Sequence, residues 1–515
     1  MKNTSFGRLK ASVVVWLLVT SAPALTSVTF VLALVAAPSL HAQQVTTLYS
    51  FLSGTDACTP TAGLIRDGTG NLYGTTYNGG TFGHGTVFKL TPSGSESILY
   101  SFGSSATDAF TPTAAVVRDG AGNLYGTTLS GGMYGLGTVY KVPKTGLETV
   151  LYSFADGNSG GTDGFAPYST LVRDSAGNLY GTTTGGGPDD YGTVFQVTAS
   201  GTEIQLHAFV GADGADPVAG LIRDSAGNLY GTATEAGVNG NFGTVFEVSP
   251  AGVETTLFSF DGADGQSPYG GLIRDSKGNF YGTTETGGAF GYGTVYELTP
   301  SGVETVLYHF TGGADGGYPK STLVRDSSGN VYGTTTIGGT DGGECGAILG
   351  CGVVFEVSKT GVETVLHAFA GFPTEGQTPD SGLVMDNSGN LYGTTSGGGA
   401  SGCGTVFEVT PPNFQITASP TSATVTAGQS TTSTLTLTPV GEFNGTVNLS
   451  CTVPKNDGLS CSVLPNSITL DGVNSQKATL TMNTSPTTPP GTYKIVSKGI
   501  SGSLTHTANF TLTVQ

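Results

Sequence analysis

Six Arg-Asp pairs recur along this 515-residue chain: Arg66-Asp67, Arg118-Asp119, Arg173-Asp174, Arg223-Asp224, Arg274-Asp275 and Arg325-Asp326. A seventh copy reads Met385-Asp386. Guanidinium groups gathered at one place would bind an anion. The structural reading outweighs that one. An Asp before a tight turn accepts backbone N–H bonds, and an Arg beside it reaches a neighbouring repeat. A specialised site would differ from copy to copy.

Asp-Gly-rich segments are the second candidate: Asp156-Gly157-Asn158 with Asp163-Gly164, Asp213-Gly214-Ala215-Asp216, Asp261-Gly262-Ala263-Asp264-Gly265 and Asp315-Gly316. Clustered carboxylate and carbonyl oxygens suit calcium, but none of these segments has the twelve-residue Asp-x-Asp-x-Asp-Gly pattern with its closing Glu. Repeated solvated turns are the simpler account. Ca2+ is the one ion weighed, and no other cofactor is expected. Histidine is scarce: beyond the first 42 residues there are His84, His207, His309, His367 and His506. They fall on different repeats, so neither a Ser-His-Asp triad nor a histidine metal centre is expected. Glu254, Glu304 and Glu363 recur at one repeat position, which makes them positional rather than a paired-carboxylate glycosidase site. The only Trp, Trp16, sits in the leader, which excludes a Trp sugar platform. The repeated Tyr73, Tyr125, Tyr180, Tyr230, Tyr281, Tyr332 and Tyr392 read as packing positions. No catalytic residue is assigned.

These residues are positioned by a repeat. Asn-(Leu/Phe/Val)-Tyr-Gly begins at Asn71, Asn123, Asn178, Asn228, Asn279, Asn330 and Asn390, with spacings of 52, 55, 50, 51, 51 and 60 residues. A period near 50 points to a solenoid or propeller. Each unit holds four short β-rich runs, A to D. In the fourth unit they are Ala219–Asp224, Asn228–Ala233, Gly243–Val248 and Glu254–Phe260, six or seven residues each. Ser225-Ala226-Gly227 and Ser249-Pro250-Ala251-Gly252 supply turn chemistry between them. Each D–A loop ends in a proline (Pro60, Pro112, Pro167, Pro217, Pro268, Pro319, Pro379), which sets φ before the A run. Four antiparallel strands per repeat is the pattern of a propeller blade.

The ends of the array set the count. Val45–Phe51 matches a D run with no A, B or C before it. The last copy has Ser381–Asp386, Asn390–Thr395 and Gly404–Val409, and no D after it. Together they make one whole blade. The expected fold is therefore all-β: a seven-bladed β-propeller closed by the N-terminal strand plus the last three strands, which leaves no open edge.

The run Leu-(Ile/Val)-Arg-Asp-x-x-Gly-Asn-Leu-Tyr-Gly-Thr-Thr, then Gly-Gly and Gly-Thr-Val-Phe-Glu-Val, resembles the GloVer tandem repeat of choice-of-anchor bacterial proteins. The resemblance covers roughly residues 45–411 in seven copies. It implies a secreted or surface protein without an established biochemical activity. The A–B part is also similar, more loosely, to NHL-type propeller repeats.

Lys2, Arg8 and Lys10 precede an apolar stretch from Ala11 to Ala37, followed by Pro38-Ser39-Leu40-His41-Ala42. This reads as a secretory signal peptide cut after Ala42, with a retained anchor as the alternative. Losing it takes the net charge from −18 to −21. Such an acidic surface disfavours nucleic acid and anionic lipid. Only 11% of residues are charged, against about 25% in ordinary proteins, and 83 glycines sit at fixed turn positions.

Six cysteines behind a signal peptide suggest disulfides. Cys58 lies in the loop after the leading D run and Cys403 in the B–C loop of the last repeat. In up-and-down blades those loops share one face, so a Cys58–Cys403 bond is expected to lock the seam, worth on the order of 5 kcal/mol for so long a loop. Cys345 and Cys351 lie together in the enlarged B–C loop of the sixth repeat, 338–352, and pair locally. A metal site there lacks a nearby His. Cys451 and Cys461 pair across a loop in the tail.

The domain reading is a signal peptide at 1–42, the propeller at 43–410, a linker at 411–413 and a tail at 414–515. The tail alternates in Thr, Ser and Val over Gln415–Ala418, Thr431–Thr438, Gly445–Cys451, Lys477–Met482, Thr492–Lys498 and Thr507–Val514. Such runs suggest an Ig-like β-sandwich, and the tail resembles bacterial Ig-like modules. The expected protein is a monomeric, non-enzymatic binder or scaffold, secreted or at the cell surface or outer envelope. Its partner would be an extracellular protein or glycan held by the D–A and B–C loops. A lyase or glycan hydrolase on the same scaffold, and a purely structural envelope component, are the alternatives.

Overall fold

A computed structural model describes residues 44–155, 163–339, 345, 350–441, 443–454, 458–502 and 504–515. The expected leader, Asp156-Gly157-Asn158 and most of the 338–352 insertion lie outside them. Among the described residues the chain is all-β, without a helix, in thirteen sheets. None of it is therefore a helix long and apolar enough to cross a membrane.

Seven of the sheets are the repeats. The first runs Ile65–Arg66, Leu72–Thr76, Thr86–Leu90, Glu96–Ser101, all antiparallel in A-B-C-D order. The seventh takes Val384–Met385, Leu391–Thr395 and Thr405–Thr410, and its fourth strand is the leading segment Gln44–Ser50. Val45 lies opposite Val409, and Ser50 opposite Thr405.

The outer strands match the expected runs to within a residue or two, but the A strand does not. In the fourth repeat it is Ile222–Arg223, two residues rather than the six of Ala219–Asp224. The cause is lateral. The first Thr of each Gly-Thr-Thr or Gly-Thr-Ala is buried and donates its hydroxyl to an A-run carbonyl of the next sheet. Thr75 reaches Ala114 O at 2.9 Å, Thr127 Ser169 O at 2.9 Å, Thr283 Ser321 O at 3.2 Å and Thr334 Ser381 O at 3.1 Å. Thr394 of the seventh sheet does the same to Ala62 O of the first, at 3.1 Å. The upper half of each A run is thus bonded sideways instead of joining the ladder to B.

Packing between sheets repeats as faithfully. The Phe that ends each D run meets, edge to face, the C-strand aromatic of the next sheet: Phe102 on Tyr140 at 5.0 Å, Phe209 on Phe246 at 5.0 Å, Phe369 on Phe407 at 5.0 Å. Phe51, at the end of the seventh sheet's last strand, meets Phe88 of the first at 5.2 Å. Each such pair is worth about 0.5–1.5 kcal/mol beyond its buried area. The Gly of Tyr-Gly-Thr makes room for that ring: a Cβ on Gly231 would stand 2.6 Å from Phe246 Cζ and 2.7 Å from Leu221 Cδ2. Any side chain there would push the aromatic off its seat.

The tail forms two sheets. One is Asn413–Ser419, Ser430–Val440, Gln476–Thr484, Leu459–Leu464; the other is Ser422–Val425, Leu504–Val514, Gly491–Ser501, Thr446–Thr452, Ser467–Thr469. They share one buried cluster that includes Phe414, Leu437, Leu480, Ile495 and Phe510. Three of these strands, Ser422–Val425, Leu459–Leu464 and Ser467–Thr469, lie outside the runs expected from the alternation; they are short and sit next to Pro420 or Pro465. Asn413 already pairs with Val440, so of the expected linker 411–413 only Pro411-Pro412 separates the strands.

The sulfurs of Cys58 and Cys403, Cys345 and Cys351, and Cys451 and Cys461 are bonded, with Cα–Cα distances of 4.6, 5.3 and 6.1 Å.

Candidate functional site

Each repeat sheet has a turn end, with the A–B and C–D turns, and a loop end, with the D–A and B–C loops. At the turn end the Arg-Asp pairs are committed to one another's repeats. Asp224 Oδ1 accepts the N–H of Ala226 and of Asn228, both at 2.9 Å, and its Oδ2 accepts from Asn228 Nδ2 at 3.2 Å and Tyr230 OH at 3.1 Å. Burial alone would raise this carboxyl's pKa, but those donors outweigh it and hold it below the usual range. Asp119 is held at about 2 by the same balance. The Arg lies over the Tyr of the preceding sheet: Arg118 over Tyr73 at 5.6 Å, Arg223 over Tyr180 at 5.5 Å, Arg325 over Tyr281 at 5.2 Å. Arg66 continues the pattern onto Tyr392 of the seventh sheet at 5.6 Å, and to Asp386 at 3.9 Å. The repeated tyrosines therefore do more than pack. They donate to Asp and support Arg, which leaves these guanidiniums occupied rather than poised for an anion.

At the loop end the acidic residue of the D–A loop braces its own loop in the described repeats. Asp108 accepts Tyr100 OH at 2.9 Å and the Gly103 and Ser104 N–H groups at 2.9 and 2.7 Å. Asp213 meets His207 at 2.9 Å, and Glu375 meets His367 at 2.8 Å. Those histidines stand where four other repeats have Tyr and the fifth has Phe258. The recurring Glu254, Glu304 and Glu363 stay on separate sheets, each half-buried at the start of its D strand. Among the described residues no three His, Cys, Asp or Glu side chains gather in a way that could hold a metal ion.

One loop-end position breaks the repetition. The residue after each loop proline is Thr61, Thr113, Tyr168, Val218, Tyr269, Lys320 or Asp380. How it is presented is constant. The residue before the proline is left-handed in all seven copies, with φ of 60° at Thr59, 56° at Thr111, 52° at Ala166, 54° at Asp216, 54° at Ser267, 56° at Tyr318 and 55° at Thr378. None is glycine, so each costs about 1–2 kcal/mol. Each gives its N–H to a carbonyl of the preceding sheet's B–C loop region, as Thr111 does to His84 O and Thr59 to Cys403 O, both at 2.9 Å. The proline then seats against the Gly that opens the preceding C strand; a Cβ on Gly243 would lie 2.5 Å from Pro268 Cδ. A strained residue and a locked ring thus aim the next side chain identically in each sheet, and only its chemistry changes.

Four of these side chains, Tyr168, Tyr269, Lys320 and Asp380, lie near one another. The rings of Tyr168 and Tyr269, from the third and fifth sheets, meet at 6.2 Å. Lys320 Nζ lies 5.0 Å from the Tyr269 ring centre and 3.0 Å from Glu285 Oε1. Burial, then Tyr168, Glu285 and Asp216, push the Tyr269 phenol up. Burial raises the Asp380 carboxyl to about 7, against the pull of Ser396 and Lys320. Asp380 is partly exposed as a residue, yet its Oδ1 is out of solvent without a hydrogen-bond partner, as are Thr61 Oγ1 and Thr113 Oγ1. Burial and Glu235 raise Asp216 beside them. The sequence carried the signal for this set: the prolines are regular, and the residue following them is not.

A second candidate is a cleft of about 530 Å³ between the turn ends of the sixth and seventh sheets and the tail, lined in part by Tyr332, Glu356, Met385, Asn413 and His506. Met385 stands there where six other repeats have Arg. Asn413 Oδ1 and His506 Nε2 are 2.7 Å apart.

The molecule is thus an all-β, disulfide-bonded repeat protein, and the three disulfides suggest an extracellular one. The chain belongs to the Gloeobacter/Verrucomicrobia repeat family, which matches residues 35–239, 112–349 and 222–459. No curated protein matches it. Among solved structures it is similar to a candidate 6-phosphogluconolactonase from Bacteroides uniformis, with TM-score 0.40 and 13% identity over 61% of this chain and 86% of that one. It is also similar to Bacteroides ovatus Xyloglucan PUL GH43B (0.29, 10%, 90% and 91%) and to domains 4 and 5 of the S-layer protein SbsC (0.16, 16%, 47% and 96%). Similarities this low do not bear on what this chain does.

Proposed function

We propose that the mature chain, 43–515, is a secreted or cell-surface binding protein without catalytic activity. Residues 43–410 form an NHL-like, closed seven-bladed β-propeller, and 414–515 form an Ig-like sandwich. Its loop-end face, at the mouth of the propeller channel, takes an extracellular glycan or protein. Closure is supported by four links from the seventh repeat to the first: the Thr394 bond, the Phe51–Phe88 contact, Arg66 on Tyr392 and the Cys58–Cys403 bond. The observation that carries the binding reading is the seven-fold position after the loop proline, where the backbone repeats, the side-chain chemistry varies, and Tyr168, Tyr269, Lys320 and Asp380 lie near one another. Recognition residues belong on such loops, held by a rigid scaffold.

The test is saturable binding of labelled 43–515 to bacterial cells, envelope fractions and insoluble polysaccharides. Lys320→Glu, at the loop end, is expected to abolish retention, and Lys277→Glu, at the turn end, to leave it intact. Equal loss from both would sink the face assignment. The same incubations serve the alternative of a lyase or hydrolase, which the raised Asp380 beside Lys320 favours. New reducing ends, or unsaturated sugars released from the polysaccharides, would replace the binder by an enzyme.

A further inference from the structure

We infer that Tyr168, Tyr269, Lys320, Asp380, Thr61 and Thr113 form a subsite for a neutral sugar of a glycan. The inference rests on the loop-end face being the binding face, and it names the ligand class. The two arcs of the mouth differ in kind. The third, fourth and fifth sheets supply Tyr168, Val218 and Tyr269, with the tyrosine rings meeting 6.2 Å apart from sheets that are not neighbours. This is an aromatic wall, fit for the C–H face of a pyranose ring. The seventh, first and second sheets supply Asp380, Thr61 and Thr113, each with an oxygen shielded from solvent and lacking a hydrogen-bond partner. Buried polar atoms left so are uncommon and costly. Three of them at the repeat position that elsewhere carries the tyrosines suit a ligand with an apolar face and several groups that both donate and accept. A sugar ring has that surface.

Charge narrows the class further. Lys320 is the one cation at this position in the seven repeats, and it is already held by Glu285 at 3.0 Å and by the Tyr269 ring at 5.0 Å. Glu285 and Asp380 lie beside it, and Asp216 lies beside the Tyr269 ring with Glu235 next to it. A uronate or sulfated sugar would meet more negative charge than positive.

The test uses the full mature chain on an array of neutral oligosaccharides, with cellotetraose, mannotetraose, xylotetraose and chitotetraose then titrated by calorimetry and tetragalacturonate as the acidic comparator. At least one neutral glycan should bind, with the acidic comparator weaker by about tenfold or more. Tyr168→Ala and Asp380→Ala should each weaken it by about tenfold, and Tyr168→Phe should retain it. Each variant's melting temperature is measured, and the Phe variant guards against loss of fold. Absence of any neutral ligand, equal binding of tetragalacturonate, or undiminished binding by folded Tyr168→Ala would each overturn the sugar subsite. If no glycan binds but a purified protein partner is held by wild type and lost in Lys320→Glu, the sugar subsite falls and the binding face stands. If binding survives every loop-end variant, both fall.

Discussion

The turn end and the loop end of the repeat sheets are built from the same strands, yet they obey different rules. At the turn end, seven copies of Asp, Asn and Tyr make the same bonds, and six Arg side chains cross to the previous sheet. These Asp, Asn and Tyr side chains answer one another's needs, so a departure at any of them is a loss of stability. At the loop end the backbone is equally uniform, down to seven left-handed residues before seven prolines. The side chain it presents is unconstrained by that framework, and it ranges from Val to Lys to Asp. On the proposed function, repetition of backbone with divergence of side chain separates a recognition position from the scaffold, whereas repetition of both marks scaffold alone.

The largest effect that would break this contrast is at the turn end. Asp224→Ala strands two backbone N–H groups, an amide and a phenol, and should cost about 2–3 kcal/mol in denaturant unfolding. Ligand retention by the folded fraction should stay unchanged. A smaller loss than from Asp380→Ala would mean that the turn end is not the stabilising one.

pH separates the two kinds of carboxyl next. Asp67, Asp119, Asp174, Asp224 and Asp275 are held below their ordinary value, so their contribution is present above about pH 4 and lost as pH falls through their folded pKa. Burial, and then a loop-end acid in each case, raises Glu96, Glu148 and Glu203 to about 7 and Glu363 to about 8, and burial raises Asp380 to about 7. For these the folded state holds more protons than the unfolded one between pH 4.5 and 7, so stability declines as pH rises across that window. The melting temperature should therefore peak near pH 5 and fall by pH 8. Glu203→Gln should flatten the alkaline side. A peak at or above pH 7 would contradict the opposed shifts.

The smallest effect sharpens the comparison most. Thr113→Val removes a shielded hydroxyl that has no partner, keeps the shape, and should be neutral or stabilising by up to about 1 kcal/mol. The same exchange at Thr127, whose hydroxyl is bonded to Ser169 O, should destabilise by about 1–2 kcal/mol. Similar values for both would mean that the loop-end hydroxyl is satisfied like the others.

Much of this was legible in the residues. The 50-residue period, the A-B-C-D order, the leading segment as the missing strand of the last sheet, and the Asp of the turn all follow from local pattern, because turn chemistry and β alternation act within a few residues. The A strand was overestimated, since its apolar residues read as ladder while its carbonyls are bonded sideways by a threonine some 35–50 positions away. The tail strands next to Pro420 or Pro465 lie outside the expected runs because they are short. Tyr168, Tyr269, Lys320 and Asp380 passed unremarked although each follows a noted proline.

By itself the chain's order of residues determined an all-β repeat protein, the number of its repeats, its acidic charge and the chemistry available in every copy. Tertiary structure alone decided which of those copies face one another. Tyr168 and Tyr269 are 101 positions apart and meet only because the third and fifth sheets bring the same post-proline position together. Periodicity is a property of short segments and is written along the chain; convergence is a sum over sheet-to-sheet rotations, and no segment contains it.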